Sequence, residues 1–379
     1  MTLLRSWLPS PYTVLKWTSV LVFGSIGAAG VLAYAGQSYL IYPSYMPQDS
    51  RTNVPTPNDF EMPNYEDIEL TTPDGVKLHA YLIKRPRSSA VTTDDSDEND
   101  KEAPRNRPTV LMLHANAGNV GHRLPIAKVF WYNMRCNVFA LSYRGYGRSD
   151  GTPNEKGLKL DAQTALDFIL SHPELEKTNI FLYGQSIGGA VAIHLASQNA
   201  NRIRGLIVEN TFLSLPKLVP TIMPYLSRFM FLLHQIWPSE EYMRTLPSTL
   251  PVLFLSGEDD ELIPPSHMRE LHKICPSKDK EWRGFPHGTH NDTCVQPIYF
   301  QYIADFIFRH AGLPSAKNLS DKPTPSATSP TASVATSDDG RSTDGAESFV
   351  VVDEEEGREI QNEGGAGDIN IVDKVKEKL

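Results

Sequence analysis

Residues 179–192 read NIFLYGQSIGGAVA. The first six form a short apolar run, the length and character of a strand buried on both faces. From Ile187 to residue 197 the side chains are small or apolar and have helical length. Between the two stands Gly184-Gln185-Ser186-Ile187-Gly188, a G-x-S-x-G pentapeptide. Small residues fall into this pattern by chance, so the pattern alone is weak. Placed between a strand and a helix, it predicts a sharp turn that lifts Ser186 clear of the sheet, a nucleophile elbow. The glycines let the backbones approach closely. The helix N-terminus adds a positive dipole where an oxyanion would develop.

The flanking sequence repeats the same alternation. PTVLMLH (108–114), CNVFALSYR (136–144), GLIVEN (205–210) and PVLFLSG (251–257) read as buried strands. Segments 121–134, 155–171, 187–197 and 297–310 have helical length or periodicity, with Leu158, Ala162, Ala165, Leu166 and Ile169 on one face of the second. Residues 66–84 read as a hairpin about Pro73-Asp74-Gly75. Strands alternating with helices predict the α/β class, a mostly parallel central sheet flanked by helices. The globular part is placed at 60–312, roughly 250 residues, enough for one large core.

A serine needs a base, and the base needs an orienting group. In elbow-bearing sheets the chain order is Ser, acid, His. The strand PVLFLSG is followed by Glu258-Asp259-Asp260-Glu261-Leu262-Ile263-Pro264. Asp260 is the expected acid and Asp259 its rival. Phe285-Pro286-His287-Gly288-Thr289-His290-Asn291-Asp292 follows in the next loop. His290 is the expected base and His287 the rival. A metal site from His287, His290, Asp292 and Cys294 fits no spacing template, and no metal or cofactor is expected. The oxyanion hole needs two N–H donors. Ile187, after the nucleophile, and Asn116, in the loop after 108–114, are the candidates. His114 is read as a brace for that loop.

LHANAGNVGHR (113–123), LSYRGYGRSDGTP (141–153), YGQSIGGAVA (183–192), ELIPPSHM (261–268) and FPHGTHNDT (285–293) together resemble the α/β-hydrolase superfamily. The nearer resemblance is to the group of alpha/beta hydrolase domain-containing protein 13 and its fungal bud-emergence relatives. It runs from the N-terminal apolar segment to about residue 310. It implies an α/β-hydrolase fold and a membrane-anchored serine hydrolase, with Ser186 as nucleophile, Asp260 as charge-relay acid and His290 as base. One position departs from the pattern: the family has His-Gly-Asn-Ala where this chain has His114-Ala115-Asn116-Ala117. A glycine held in a left-handed backbone would leave Ala115 displacing the loop. On that residue rests one alternative, a catalytically weak membrane-tethered scaffold; the other is a cell-polarity or trafficking adaptor in which activity is incidental.

Segment 211–250 is rich in Leu, Met, Phe, Tyr and Pro and is read as a short helical lid. Split by Pro216, Pro220, Pro224 and Pro238, it could line an acyl pocket or simply pack on the core. It favours acyl esters, lipid esters or thioesters as substrates.

WTSVLVFGSIGAAGVLAY (17–34) carries no charge, and apolar character continues to Tyr42. Its length predicts a membrane-spanning signal anchor over 17–40. Arg5 and Lys16 precede it, so 1–16 is expected in the cytosol and the hydrolase domain lumenal or extracellular. The rival is a cleaved signal peptide ending at Ala33-Tyr34-Ala35. Asn291-Asp292-Thr293 and Asn318-Leu319-Ser320 are glycosylation sequons, usable only on the far side.

The net charge of −9 is local. Segment 94–102, within an acidic loop 87–107, carries −5, and the tail 313–379 carries −7. Removing that −12 from −9 leaves +3 on the remainder, with no Lys/Arg run, so a nucleic-acid binder is excluded. Apolar residues at 40% and charged ones at 21% exclude wholesale disorder. The acidic, Ser/Thr/Pro-rich tail is expected to be disordered. Its Phe349-Val350-Val351-Val352 patch ahead of Asp353 is a candidate protein-binding motif. Three cysteines exclude a disulfide scaffold.

Overall fold

The computed structural model describes residues 10–84 and 107–314. The N-terminal nine residues, the acidic loop 87–107 except its last residue, and the tail from 315 with its sequon and apolar patch lie outside the described residues.

Eight strands form one sheet: β1 Tyr65–Thr71, β2 Lys77–Ile83, β3 Thr109–Leu113, β4 Asn137–Leu141, β5 Ile180–Gln185, β6 Gly205–Glu209, β7 Val252–Gly257 and β8 Lys280–Phe285. Their order is β1-β2-β4-β3-β5-β6-β7-β8. β1 and β2 are the expected hairpin, and β2 is also antiparallel to β4. From β4 to β8 every pair is parallel. The expected fold class, a mostly parallel sheet in an α/β-hydrolase arrangement, is what the chain forms.

Alternate residues of the central strands feed two cores, which is why these strands read as continuous apolar runs. Leu111, Leu113, Leu182, Leu206, Val208 and Phe254 face one way. There they meet α4 (Glu155–Ser171), α5 (Ile187–Asn199) and α8 (Pro265–Ile274). Val110, Met112, Phe181, Tyr183, Ile207 and Leu253 face the other way. They meet α3 (Leu124–Tyr132) and α9 (Tyr299–Ala311). The strand β8 and the helix α8 were not expected from sequence. β8 is an edge strand whose side chains are mostly half-buried, so KEWRGF shows no apolar alternation.

The segment expected to form a lid folds as α6 (Leu215–Ile222), a 3-10 turn Pro224–Leu232 and α7 (Ser239–Arg244). Its prolines keep each piece short.

The N-terminal segment corrects an expectation. The continuous helix is α1, Pro11–Ala35, not 17–40. The chain turns at Gly36, and a second short helix, α2 (Gln37–Ile41), belongs to the globular body. The cause is Gln37, whose buried amide donates to Leu232 O at 2.6 Å and accepts from His234 N at 3.0 Å. Among the described residues no helix is long and apolar enough to cross a membrane. Packing of the body also begins well before residue 60, with Tyr42 and Val54 buried.

Candidate active site

The C-terminal ends of β3, β5, β6, β7 and β8 converge on Ser186. This residue follows β5 directly and precedes α5. Its backbone is held at φ 56° and ψ −122°, a region that non-glycine residues rarely occupy. Such strain persists only where the surroundings fix it. Here Ser186 N donates to Glu209 O at 2.9 Å, and Ser186 O accepts from Thr211 Oγ1 at 2.7 Å. The pentapeptide glycines are needed for close approach. A Cβ at Gly184 would lie 2.2 Å from Gly188 O, and one at Gly188 would lie 2.1 Å from Leu113 O.

The expected side chains come together. His290 Nε2 lies 3.1 Å from Ser186 Oγ, and His290 Nδ1 lies 2.8 Å from Asp260 Oδ2. The network fixes the protons: the carboxylate accepts from Nδ1–H, which leaves Nε2 to accept from the serine hydroxyl. Asp260 Oδ1 accepts from Leu262 N at 2.9 Å and Ile263 N at 2.7 Å, which locks the carboxylate. All three side chains are buried. The rivals face water. His287 and Asp259 are 89% and 64% exposed and sit 3.9 Å apart on the surface. Nor do His287, His290, Asp292 and Cys294 converge. Among the described residues the possible ligand clusters are Glu66–His172–Glu174 and Asp279–Glu281–His310.

The segments that carry the two expected oxyanion donors abut, since a Cβ on Gly188 would lie 2.7 Å from His114 O. Among the described residues neither Ile187 N nor Asn116 N donates to a backbone carbonyl. Ala115 is not among the residues with positive φ, so the alanine is held there without left-handed backbone strain. His114 braces the loop. Its ring packs on Tyr143 and Tyr146, at centroid distances of 4.2 and 4.9 Å. Its Nδ1–H donates to Ala115 O at 2.7 Å while Nε2 accepts from Tyr143 N at 3.4 Å. Burial pushes its pKa down to about 3, so the ring is neutral.

The loop is buttressed from outside by the segment after α2. Asn116 Nδ2 reaches Ile41 O at 3.5 Å, Gly118 N donates to Met46 O at 2.7 Å, and Asn119 Nδ2 donates to Ser50 O at 2.9 Å. Tyr146 Oη donates to Asn116 O at 2.8 Å.

Two residues at the end of β6 were missed in the sequence. Asn210, at φ 43°, accepts from Gly257 N at 2.8 Å through Oδ1. Its Nδ2 donates to Thr289 O, His290 O and Thr293 Oγ1 at 3.2, 3.3 and 3.0 Å. One amide thus ties the acid strand to the base loop. Glu209 is fully buried beneath the elbow, and Oε2 accepts from Tyr183 Oη and Tyr299 Oη, both at 2.6 Å. Desolvation pushes its carboxyl above the usual range, against the two tyrosine hydrogen bonds. The only signal in the sequence was a pair of polar residues closing the apolar run GLIVEN.

The cavity of about 520 Å³ lined by Ser38, Glu155, Lys159 and Gln235 lies away from Ser186.

Comparison with known proteins gives a consistent picture. Residues 108–232 match the sequence model of the alpha/beta hydrolase fold. Protein bem46 of Schizosaccharomyces pombe is 48% identical over 300 residues, 78% of this chain and 94% of that protein. The uncharacterized membrane protein YNL320W of Saccharomyces cerevisiae is 43% identical over 274 residues, 72% of this chain and 89% of that one. Among solved structures, the Pyrococcus furiosus esterase Pf2001 superposes with a TM-score of 0.54 at 20% identity, covering 69% of this chain and 96% of its own. That likeness concerns the fold.

Proposed function

As this chain belongs to the α/β-hydrolase family, alongside protein bem46, we propose that it is a serine hydrolase of carboxylic esters or thioesters, with acyl or lipid esters as its substrates. The observation that carries the reading is the unbroken chain of hydrogen bonds from Ser186 through His290 to Asp260.

In the first step Ser186 Oγ attacks the substrate carbonyl carbon, and His290 Nε2 takes the hydroxyl proton. Asp260 stabilises the imidazolium through Nδ1–H. The anionic oxygen of the tetrahedral intermediate accepts from the Ile187 and Asn116 N–H groups. Collapse breaks the bond to the leaving alcohol or thiol, which receives the proton from His290. Water, deprotonated by the same imidazole, then attacks the acyl-enzyme. The acid departs and Ser186 regains its proton. No step draws on a metal or cofactor.

We place this chemistry at a membrane. α1 exposes Leu15, Trp17, Leu21, Phe23 and Val31, an apolar surface that water does not favour. YNL320W is named as a membrane protein. The lumenal or extracellular orientation expected from Arg5 and Lys16 requires a span. No described helix is long and apolar enough for one, and the attachment proposed is contact of the exposed apolar surface of α1 with lipid.

The test is labelling of the full-length protein with a fluorophosphonate. Wild type is expected to label and Ser186→Ala to stay blank, with His290→Gln and Asp260→Asn labelling far more slowly. Folded wild type that fails to label would sink the reading. That result would favour a scaffold.

A further inference from the structure

We propose that the lid segment 222–236 is itself a lipid-contacting surface, carried into the same membrane interface as α1, so that the ester reaches the site from the bilayer. The proposal rests on the membrane attachment of α1 and, for its kinetic arm, on the hydrolase reading.

The segment exposes Ile222, Met223, Tyr225, Phe229 and Phe231, with Tyr225 at 71% and Phe231 at 80%. Exposed apolar surface on this scale marks an interaction site. Within 222–236 there is no Asp or Glu, and Arg228 is the one Lys or Arg. Aromatic and apolar side chains free of acids are what a lipid interface selects.

What identifies the occupant is continuity with α1. The two segments lie nearly two hundred positions apart in the chain, yet they are fastened together. Gln37 is bonded to Leu232 and His234, and the Tyr34 and His234 rings lie 4.4 Å apart. Beneath them Tyr42 Oη donates to Gln235 Oε1 at 2.9 Å and accepts from Trp237 Nε1 at 2.8 Å. A lipid phase that receives α1 therefore meets the lid without any rearrangement. The lid in turn connects directly to β6 and β7, whose ends carry Asn210 and the Asp260 loop.

The experiment places a nitroxide at single engineered cysteines of the full-length protein in vesicles of phosphatidylcholine and phosphatidylglycerol. The three native cysteines are buried. Phe231→Cys is expected to favour oxygen over a water-soluble nickel complex as relaxant, as Leu21→Cys in α1 does. Lys278→Cys, exposed near the start of β8, reports water. Position 231 in water with position 21 in lipid would overturn the proposal and spare the attachment of α1; both in water would overturn both. Dipolar broadening between labels at 231 would seat a second copy there and likewise overturn it. In the kinetic arm, the double variant Phe229→Asp, Phe231→Asp should lose about tenfold or more on a vesicle-borne long-chain ester. Its fluorophosphonate labelling and its turnover of a dissolved short-chain ester should be unchanged. Equal loss on both substrates would overturn the proposal, and a blank probe reaction in wild type would instead indict the hydrolase reading.

Discussion

Asn210 holds the backbone of His290: its Nδ2 donates to His290 O at 3.3 Å while its Oδ1 receives Gly257 N at 2.8 Å. The His290 loop and β7 are thereby indexed to each other through a residue that touches neither Ser186 Oγ nor His290 Nε2. Asn210→Ala is expected to lower kcat by about 10- to 100-fold through loss of alignment. KM should move by less than about threefold, since no substrate contact is removed. A merely structural role would instead lower the amount of folded protein and leave kcat per labelled site intact. Steady-state kinetics normalised to active-site titration separates the two.

The strained backbone at Ser186 has a cost that glycine would not bear. At φ 56° a side chain is disfavoured. Ser186→Gly is expected to stabilise the fold by about 1 kcal/mol while abolishing labelling. Urea denaturation followed by far-UV circular dichroism would show a higher midpoint than for Ser186→Ala, which keeps the Cβ.

Gly188 is the opposite case. An added Cβ would fall 2.1 Å from Leu113 O, and the obstacle is backbone that cannot rotate away. Gly188→Ala should push α5 off β3 and destabilise by at least about 3 kcal/mol, the scale of severe overpacking. A urea midpoint within error of wild type would contradict this packing.

His114 makes a prediction about pH. It is buried neutral with its pKa pushed down to about 3, against about 6.5 for an exposed histidine. Between those values the unfolded chain binds a proton that the native protein refuses, so ν is larger in the unfolded state. Stability therefore rises with pH across that window, by up to about 1.4 kcal/mol per pH unit. It falls correspondingly on acidification from 6.5 and levels off near 3. His114→Gln should remove the His114 share of this slope, while His194, pushed down to about 4 by burial, keeps its own. Urea midpoints for both proteins at several pH values between 4 and 7 provide the check, and parallel curves would refute the assignment.

How much of this was legible depended on how local the cause was. The elbow was legible because a sharp turn against two backbones forces small residues at fixed spacing around Ser186. Asp260 was legible because it follows the apolar strand PVLFLSG, and His290 because the required chain order puts the base downstream of the acid. Asn210 was not, since its role arises only where the ends of β6, β7 and the base loop meet. β8 was hidden because an edge strand needs no apolar alternation. The apolar run through Tyr42 read as one span because no charge interrupts it, and what Gln37 does is set by a segment far along the chain.

The bonds that tie Asn116, Gly118 and Asn119 to Ile41, Met46 and Ser50 bear on how a version without α1 should be cut. Truncation is commonly placed at the start of the recognisable domain, here about residue 60. That cut would discard the outer wall of the loop along with the Tyr42–Gln235–Trp237 peg under the lid. A cut at Gly36 sheds the apolar α1 and keeps both. The shorter fragment would still contain every residue of the proposed mechanism, and its silence in an assay would say nothing about the chemistry of Ser186.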